Sequence, residues 1–159
     1  MAERKLFFMK QAFQQAKTAN KKGEVPVGAV VVRDGKIIGR GHNSMIQNSD
    51  PGAHAEMIAL RRAGENLKNY RLLDCDLYVT LEPCLMCFSA LVHARISTLV
   101  YAADDPKSGI FTTGSYDLVK SVYNHTIAVE SGVLKQQASE ILKIFFQERR
   151  DAGAVERGG

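Results

Sequence analysis

Apolar residues recur at spacings of three and four over residues 4–20, where Leu6, Met9, Phe13 and Ala16 fall on one face of a helix and Gly23 follows as its stop. The pattern then turns extended. Val27 with Ala29 to Val32, and then residues 36–41, read as two strands joined by Arg33-Asp34-Gly35, whose Asp-Gly pair suits the positive-φ positions of a tight antiparallel hairpin. Asp50-Pro51-Gly52 reads as an N-cap with proline at the first helical position, predicting a helix over 52–63 that stops at Gly64 and carries His54 and Glu56 in its first turn. Further on, 77–81 predicts a strand, Pro83 opens a helix that runs to Ala94, 98–102 and 126–129 predict two more strands, and 134–150 predicts a last helix. From Pro51 onward helices and strands alternate, so the expectation is an α/β domain over 1–150, with helices covering a central five-stranded sheet and residues 151–159 as a disordered tail. No linker and no internal repeat interrupts it.

Composition narrows the class without naming a function. At 159 residues, 45% apolar and 24% charged, the chain suits one soluble globular domain and argues against wholesale disorder. Arg4, Lys5, Lys10, Lys17, Lys21 and Lys22 break up the N-terminal apolar patches, and no apolar run suited to a membrane span occurs elsewhere. Cys75, Cys84 and Cys87 cannot all pair, and two of them stand in a C-x-x-C spacing with no secretory signal ahead of them. That combination points to a reducing, cytoplasmic setting and to a metal or redox site. The net charge of +4 is compatible with a polyanionic partner such as nucleic acid, since Lys and Arg can neutralise phosphates.

Zinc takes thiolate and imidazole ligands in a tetrahedral set, and a catalytic site keeps three protein ligands so that water can hold the fourth position. His54, Cys84 and Cys87 supply that count. The two cysteines are three apart at a helix start, so they share a face, and the positive end of the helix dipole favours their thiolates. Glu56 follows His54 by two, and helical positions so spaced diverge, which casts Glu56 as a proton carrier outside the ligand set. Two other readings stand beside this one. A C-x-x-C pair is also the spacing of a thiol redox site, and a closed structural zinc site needs a fourth ligand, for which Cys75, His42, His93 and His125 are the spare candidates.

Together, His54-Ala55-Glu56 and Pro83-Cys84-Leu85-Met86-Cys87 resemble the H-x-E…P-C-x-x-C signature of the zinc deaminases. Over nearly the whole chain, Glu24-Val25-Pro26-Val27-Gly28-Ala29-Val30, Gly41-His42-Asn43, Asp50 to Glu56, Asp105-Pro106-Lys107-Ser108-Gly109, Asn124-His125 and Phe145-Phe146-Gln147-Glu148-Arg149-Arg150 resemble the bacterial tRNA adenosine deaminases. The resemblance implies a three-layer α/β/α cytidine deaminase-like fold with a mixed five-stranded sheet. It also implies one Zn2+ per subunit, a homodimer, and hydrolysis of adenosine to inosine at the wobble position of a tRNA anticodon. On that resemblance Glu56 is both base and acid. Asn43 hydrogen-bonds the flipped base, Pro26 and Val27 pack against it, and Leu81, Glu82 and Cys84 frame the zinc-side wall, where a backbone N–H steadies the developing oxyanion. Asp105 lies near the nucleotide sugar, and Phe146, Arg149 and Arg150 lie near the anticodon loop. Local structure offers its own account of several of these residues: a turn for Asn43, a cap ahead of Pro106 for Asp105, and a helix end with core phenylalanine and dipole-matching arginines. Two departures from the family pattern bear on RNA: Asp104 stands where a basic residue is usual, and Asp151 and Glu156 make the tail less basic. A deaminase of free guanine, cytidine, adenosine or deoxycytidylate shares the zinc motif, and an RNA-binding module with a purely structural zinc is the rival from another class.

Overall fold

Periodicity sets the first layer. The apolar stripe of residues 4–20 becomes α1, Ala2–Lys21, which buries Phe8, Met9, Ala12, Ala16 and Ala19 and leaves its lysines in water. The computed structural model describes residues 2–158, and the side chains of residues 2–153. Next comes the expected hairpin: β1, Gly28–Arg33, and β2, Lys36–His42, pair antiparallel. Asp34 and Gly35 turn it with φ of 50° and 74°, the left-handed pair that a two-residue loop between right-twisting strands requires. A short helix, α2 (Met45–Asn48), precedes α3, Ala55–Leu67. Then follow β3 (Cys75–Leu81), α4 (Leu85–His93), β4 (Thr98–Ala103), α5 (Tyr116–Val122), β5 (Ala128–Ser131) and α6 (Lys135–Gly158).

The five strands form one sheet in the order β2-β1-β3-β4-β5. The hairpin joins β3 antiparallel, while β3, β4 and β5 run parallel, so the sheet is mixed as expected. Successive strand side chains point to opposite faces, and both faces are covered. Leu77 and Val79 pack with α3 and α4 through Ala59, Phe88 and Leu91, whereas Tyr78 between them packs with Phe8 and Met9 of α1 and Ala138 of α6. Helix pairs on each side of the sheet thus give the three layers. Helix and strand backbones come close at β2, where a Cβ on Gly41 would lie 2.4 Å from the Ala55 carbonyl oxygen and 2.6 Å from the Ala59 nitrogen. Only glycine there lets α3, through its Ala55, Ala59 and Ala63 stripe, lie directly on the strand.

Element boundaries moved where the site is built. The helix expected over 52–63 begins at Ala55 instead, because Asp50 is spent on a turn of its own, accepting from the Gly52 N–H at 2.8 Å. Two elements escaped the sequence pattern, α2 and α5, one too short to show a period and the other largely exposed. The last helix continues past Arg150 to Gly158 where a disordered tail was expected; Gly159 and the Glu156 side chain lie outside the described residues. Among the described residues no helix is long and apolar enough to cross a membrane.

Candidate metal centre and active site

Two helix starts face each other. His54 is the N-cap of α3 and Cys84 the N-cap of α4, both with extended backbone, and Cys87 lies three residues into the α4 turn. A residue at an N-cap and one three positions on are neighbours, which brings the two sulfurs together. His54 Nδ1 is 3.7 Å from Cys84 Sγ and 3.4 Å from Cys87 Sγ. A tetrahedron with metal–sulfur bonds of about 2.3 Å and a metal–nitrogen bond of about 2.0–2.1 Å has edges of about 3.5–3.8 Å. The three side chains therefore fit a tetrahedral metal ion, and among the described residues they are the one His/Cys/Asp/Glu group whose ligand atoms converge within 4.8 Å.

None of the spare fourth ligands joins them. Cys75 bonds the Leu73 carbonyl, His42 lies against Asn43 and Ser44, His93 pairs with the Tyr123 hydroxyl, and His125 with the Ile96 carbonyl. A closed four-ligand site is thereby set aside, and three ligands leave one coordination position for a reactant. Within the cluster, a hydrogen bond from Cys87 holds Cys84 down at about 4, with His54 pulling the same way against desolvation. The same bond and burial push Cys87 up, and a metal ion would displace its proton.

Glu56 lies in the first turn of α3, 4% exposed. Burial pushes its carboxyl up to about 7, with its own backbone N–H and the His54 charge opposing. A carboxyl poised near neutrality, in reach of Cys87, suits a group that both takes and returns a proton. Its separation from His54 does not come from helical offset, as the sequence spacing suggested, since His54 is outside the helix proper.

Three further residues hold the frame. Asn43, at the end of β2, accepts the Ala55 N–H on its Oδ1 at 2.8 Å and so caps α3 from a distance; its side-chain NH2 has no partner among the described residues. Glu24, fully buried, accepts the Ile46 and Gln47 N–H groups at 3.1 and 2.8 Å and caps α2. Glu82, 2% exposed, accepts from the Asp105, Phe111 and Thr112 N–H groups and from the Thr112 hydroxyl. Burial alone would raise Glu82, but these four bonds outweigh it and hold the carboxyl below the usual range. Its backbone N–H donates to the Ala103 carbonyl at 2.8 Å, which removes it as an oxyanion donor. Sequence reading gave Glu24 no role and did not find the partners of the Glu82 carboxylate, because both side chains serve backbone groups far along the chain.

Other expected residues gather away from the metal cluster. Leu81, Asp105, Phe146 and Arg150 line a cleft of about 960 Å³ together with Lys107, Ser108 and Lys143. Asp105 Oδ1 there caps the Lys107 and Ser108 N–H groups. Phe146 is 44% exposed, and Arg150 reaches Gln147. Arg149 is exposed but engaged within the chain: it donates to the Gly23 carbonyl and lies 4.6 Å from the Phe145 ring centre, tying α6 to the segment after α1. Pro26 and Val27 are buried beside β1, and the Val27 carbonyl accepts from Asn43.

Residues 3–150 match the MafB19-like deaminase family. A tRNA-specific adenosine deaminase of Haemophilus influenzae is 48% identical over 94% of this chain and 87% of its own length. The chain is a member of the tRNA-specific adenosine deaminase family. The deaminase of that name from Aquifex aeolicus is 44% identical over 92% of this chain and 97% of its own. A solved structure from work on A-to-I editing by tRNA:A34 deaminases at the wobble position superposes on this deaminase with a TM-score of 0.82. It is 43% identical and covers 86% of this chain and 99% of its own. The cytidine deaminase-like α/β fold and the enzymatic class follow from these matches.

Proposed function

We propose that this deaminase converts adenosine to inosine at the wobble position of a tRNA anticodon, with one zinc ion held by His54, Cys84 and Cys87. The observation that carries the reading is the convergence of those three ligands beside a buried carboxyl near neutrality, in a chain 48% identical to a tRNA-specific adenosine deaminase. Zinc, when bound, supplies the Lewis acidity that makes a water nucleophilic toward C6 of adenine. Glu56 accepts that water's proton and delivers protons to N1 and then to the leaving amine. Asn43, with its oxygen fixed on Ala55, offers its NH2 to the base, which lies over Pro26 and Val27. Of the wall residues, the Cys84 N–H remains as the donor to the developing negative charge, because Glu82 has spent its own.

Leu81, Asp105, Phe146 and Arg150 meet the flanking nucleotides in the cleft: an exposed aromatic ring can stack on a splayed base and a guanidinium can pair with phosphate. Arg149 acts indirectly by seating α6. Residues 1–150 form the catalytic domain, in keeping with the 3–150 family match. The enzyme works in the cytoplasm as a homodimer, for which exposed Tyr70, Leu118 and Val122 offer apolar surface. The test is incubation with a tRNA anticodon stem-loop, read by sequencing, beside free adenosine, guanine, cytidine and deoxycytidylate. Inosine in the stem-loop with little turnover of the free compounds is expected; turnover of free compounds alone overturns the reading.

A further inference from the structure

The Glu82 carboxylate is nearly sealed, yet it is not among the groups around the metal cluster. Both of its oxygens are used on one loop. Oε1 takes the Asp105 N–H at 2.9 Å and the Thr112 hydroxyl at 2.6 Å, and Oε2 takes the Phe111 and Thr112 N–H groups at 2.8 and 2.9 Å. The fit leaves no slack, since a Cβ on Gly109 would lie 2.2–2.4 Å from the carboxylate. Two backbone bonds continue the seam: Ile110 N–H to the Pro83 carbonyl at 2.9 Å and Glu82 N–H to the Ala103 carbonyl at 2.8 Å. One end of this strut is the segment that leads straight into Cys84. The other end is the 105–112 loop, whose Asp105, Lys107 and Ser108 form one wall of the cleft opposite Phe146 and Arg150.

We propose that Glu82 is a positioning residue for the polynucleotide: it fixes the 105–112 wall of the cleft in register with the Cys84 segment, so that a strand held in the cleft presents its base to the metal centre. This rests on the deaminase reading above. A carboxylate accepting four bonds orders backbone that would otherwise be free to sample other loop conformations, and that ordering is realised when substrate binds. The loop has a second anchor that keeps it folded if the strut is weakened. Phe111 lies 5.6 Å from Phe88, 5.0 Å from Tyr116 and, stacked, 6.0 Å from Tyr101, centre to centre. Loss of Glu82 therefore costs register rather than the loop.

The experiment compares Glu82→Gln and Thr112→Val with the parent enzyme on a tRNA anticodon stem-loop, measuring kcat, KM and zinc content. Glu82→Gln is expected to raise KM about tenfold, the scale of one charge-assisted hydrogen bond, while kcat stays within about threefold and zinc is retained. Thr112→Val, at an exposed site that removes a single bond, is expected to shift KM in the same direction by a smaller factor, and the double variant to be no worse than Glu82→Gln alone. An unchanged KM in both variants overturns the proposal. So does a fall in kcat that tracks zinc loss, which would make Glu82 a support of the metal site alone. If Glu82→Gln does not fold, the KM of Thr112→Val decides. If the parent enzyme leaves the stem-loop unedited while turning over a free base, the underlying reading has failed, and that result is visible before any variant is compared.

Discussion

Glu56 concentrates the chemistry in one side chain. It is buried, within reach of Cys87 and pushed up by desolvation, which supports the proton transfer proposed for it rather than ligation. Glu56→Ala is expected to keep the metal and the melting temperature while lowering turnover by about 10²–10⁴-fold, the usual worth of a positioned acid–base group. Elemental analysis beside single-turnover kinetics checks it, and retained turnover would refute the assignment. The convergence of His54, Cys84 and Cys87 was legible in the sequence because its signal is local: residue type and short spacing at two helix starts. The framing residues were not. Asn43 caps a helix that begins twelve positions later, Glu24 caps one more than twenty positions on, and Glu82 serves a loop about thirty positions away. Nothing in a local pattern carries such partners, and the helix start assigned to Asp50 and Pro51 failed for the same reason, since the cap that α3 uses comes from β2.

Among the elements, α3 and β2 are the pair on which the site's geometry depends. Alanine side chains on one and glycines on the other let the helix backbone contact the strand, and the helix begins at a ligand. Gly41→Ala would force α3 outward by the Ala55 carbonyl. The expected result is a loss of about 1–3 kcal/mol in urea unfolding together with weaker metal binding, because the displaced end carries His54. Destabilisation with unaltered metal affinity would separate the packing from the site. Periodicity predicted α1, the hairpin and the strands close to their observed limits, since each buries one face or two against neighbours. It said nothing of α2, held by a remote carboxylate, or of α5, most of whose residues face water.

At the scale of the whole molecule, the parallel strands β3 and β4 end on the same side, and the chain leaving each one enters the site: Glu82 to Cys84 after β3 and the 105–112 loop after β4. Ligands of open α/β sheets gather at such carboxyl ends, where this chain places both the Cys84 segment and the 105–112 wall of the cleft. His54 and the two cysteines also join the starts of α3 and α4, so a metal ion held there would be linked to the fold. Cys87→Ala is expected to abolish stoichiometric zinc and to melt at lower temperature than the parent, and the melting temperature of the parent, unlike that of the variant, should fall with a chelator and recover with added zinc. Unchanged zinc content would count against the ligand assignment.

The carbonyl of His54 accepts the Ile58 N–H at 3.1 Å and that of Cys84 accepts the Phe88 N–H at 2.9 Å, so each ligand residue also closes the first turn of its helix. Fraying of either first turn would free the backbone that holds its side chain toward the metal cluster. Release of a bound ion is then expected to follow the opening of these two helix ends, which metal exchange measured beside amide exchange at Ile58 and Phe88 would check.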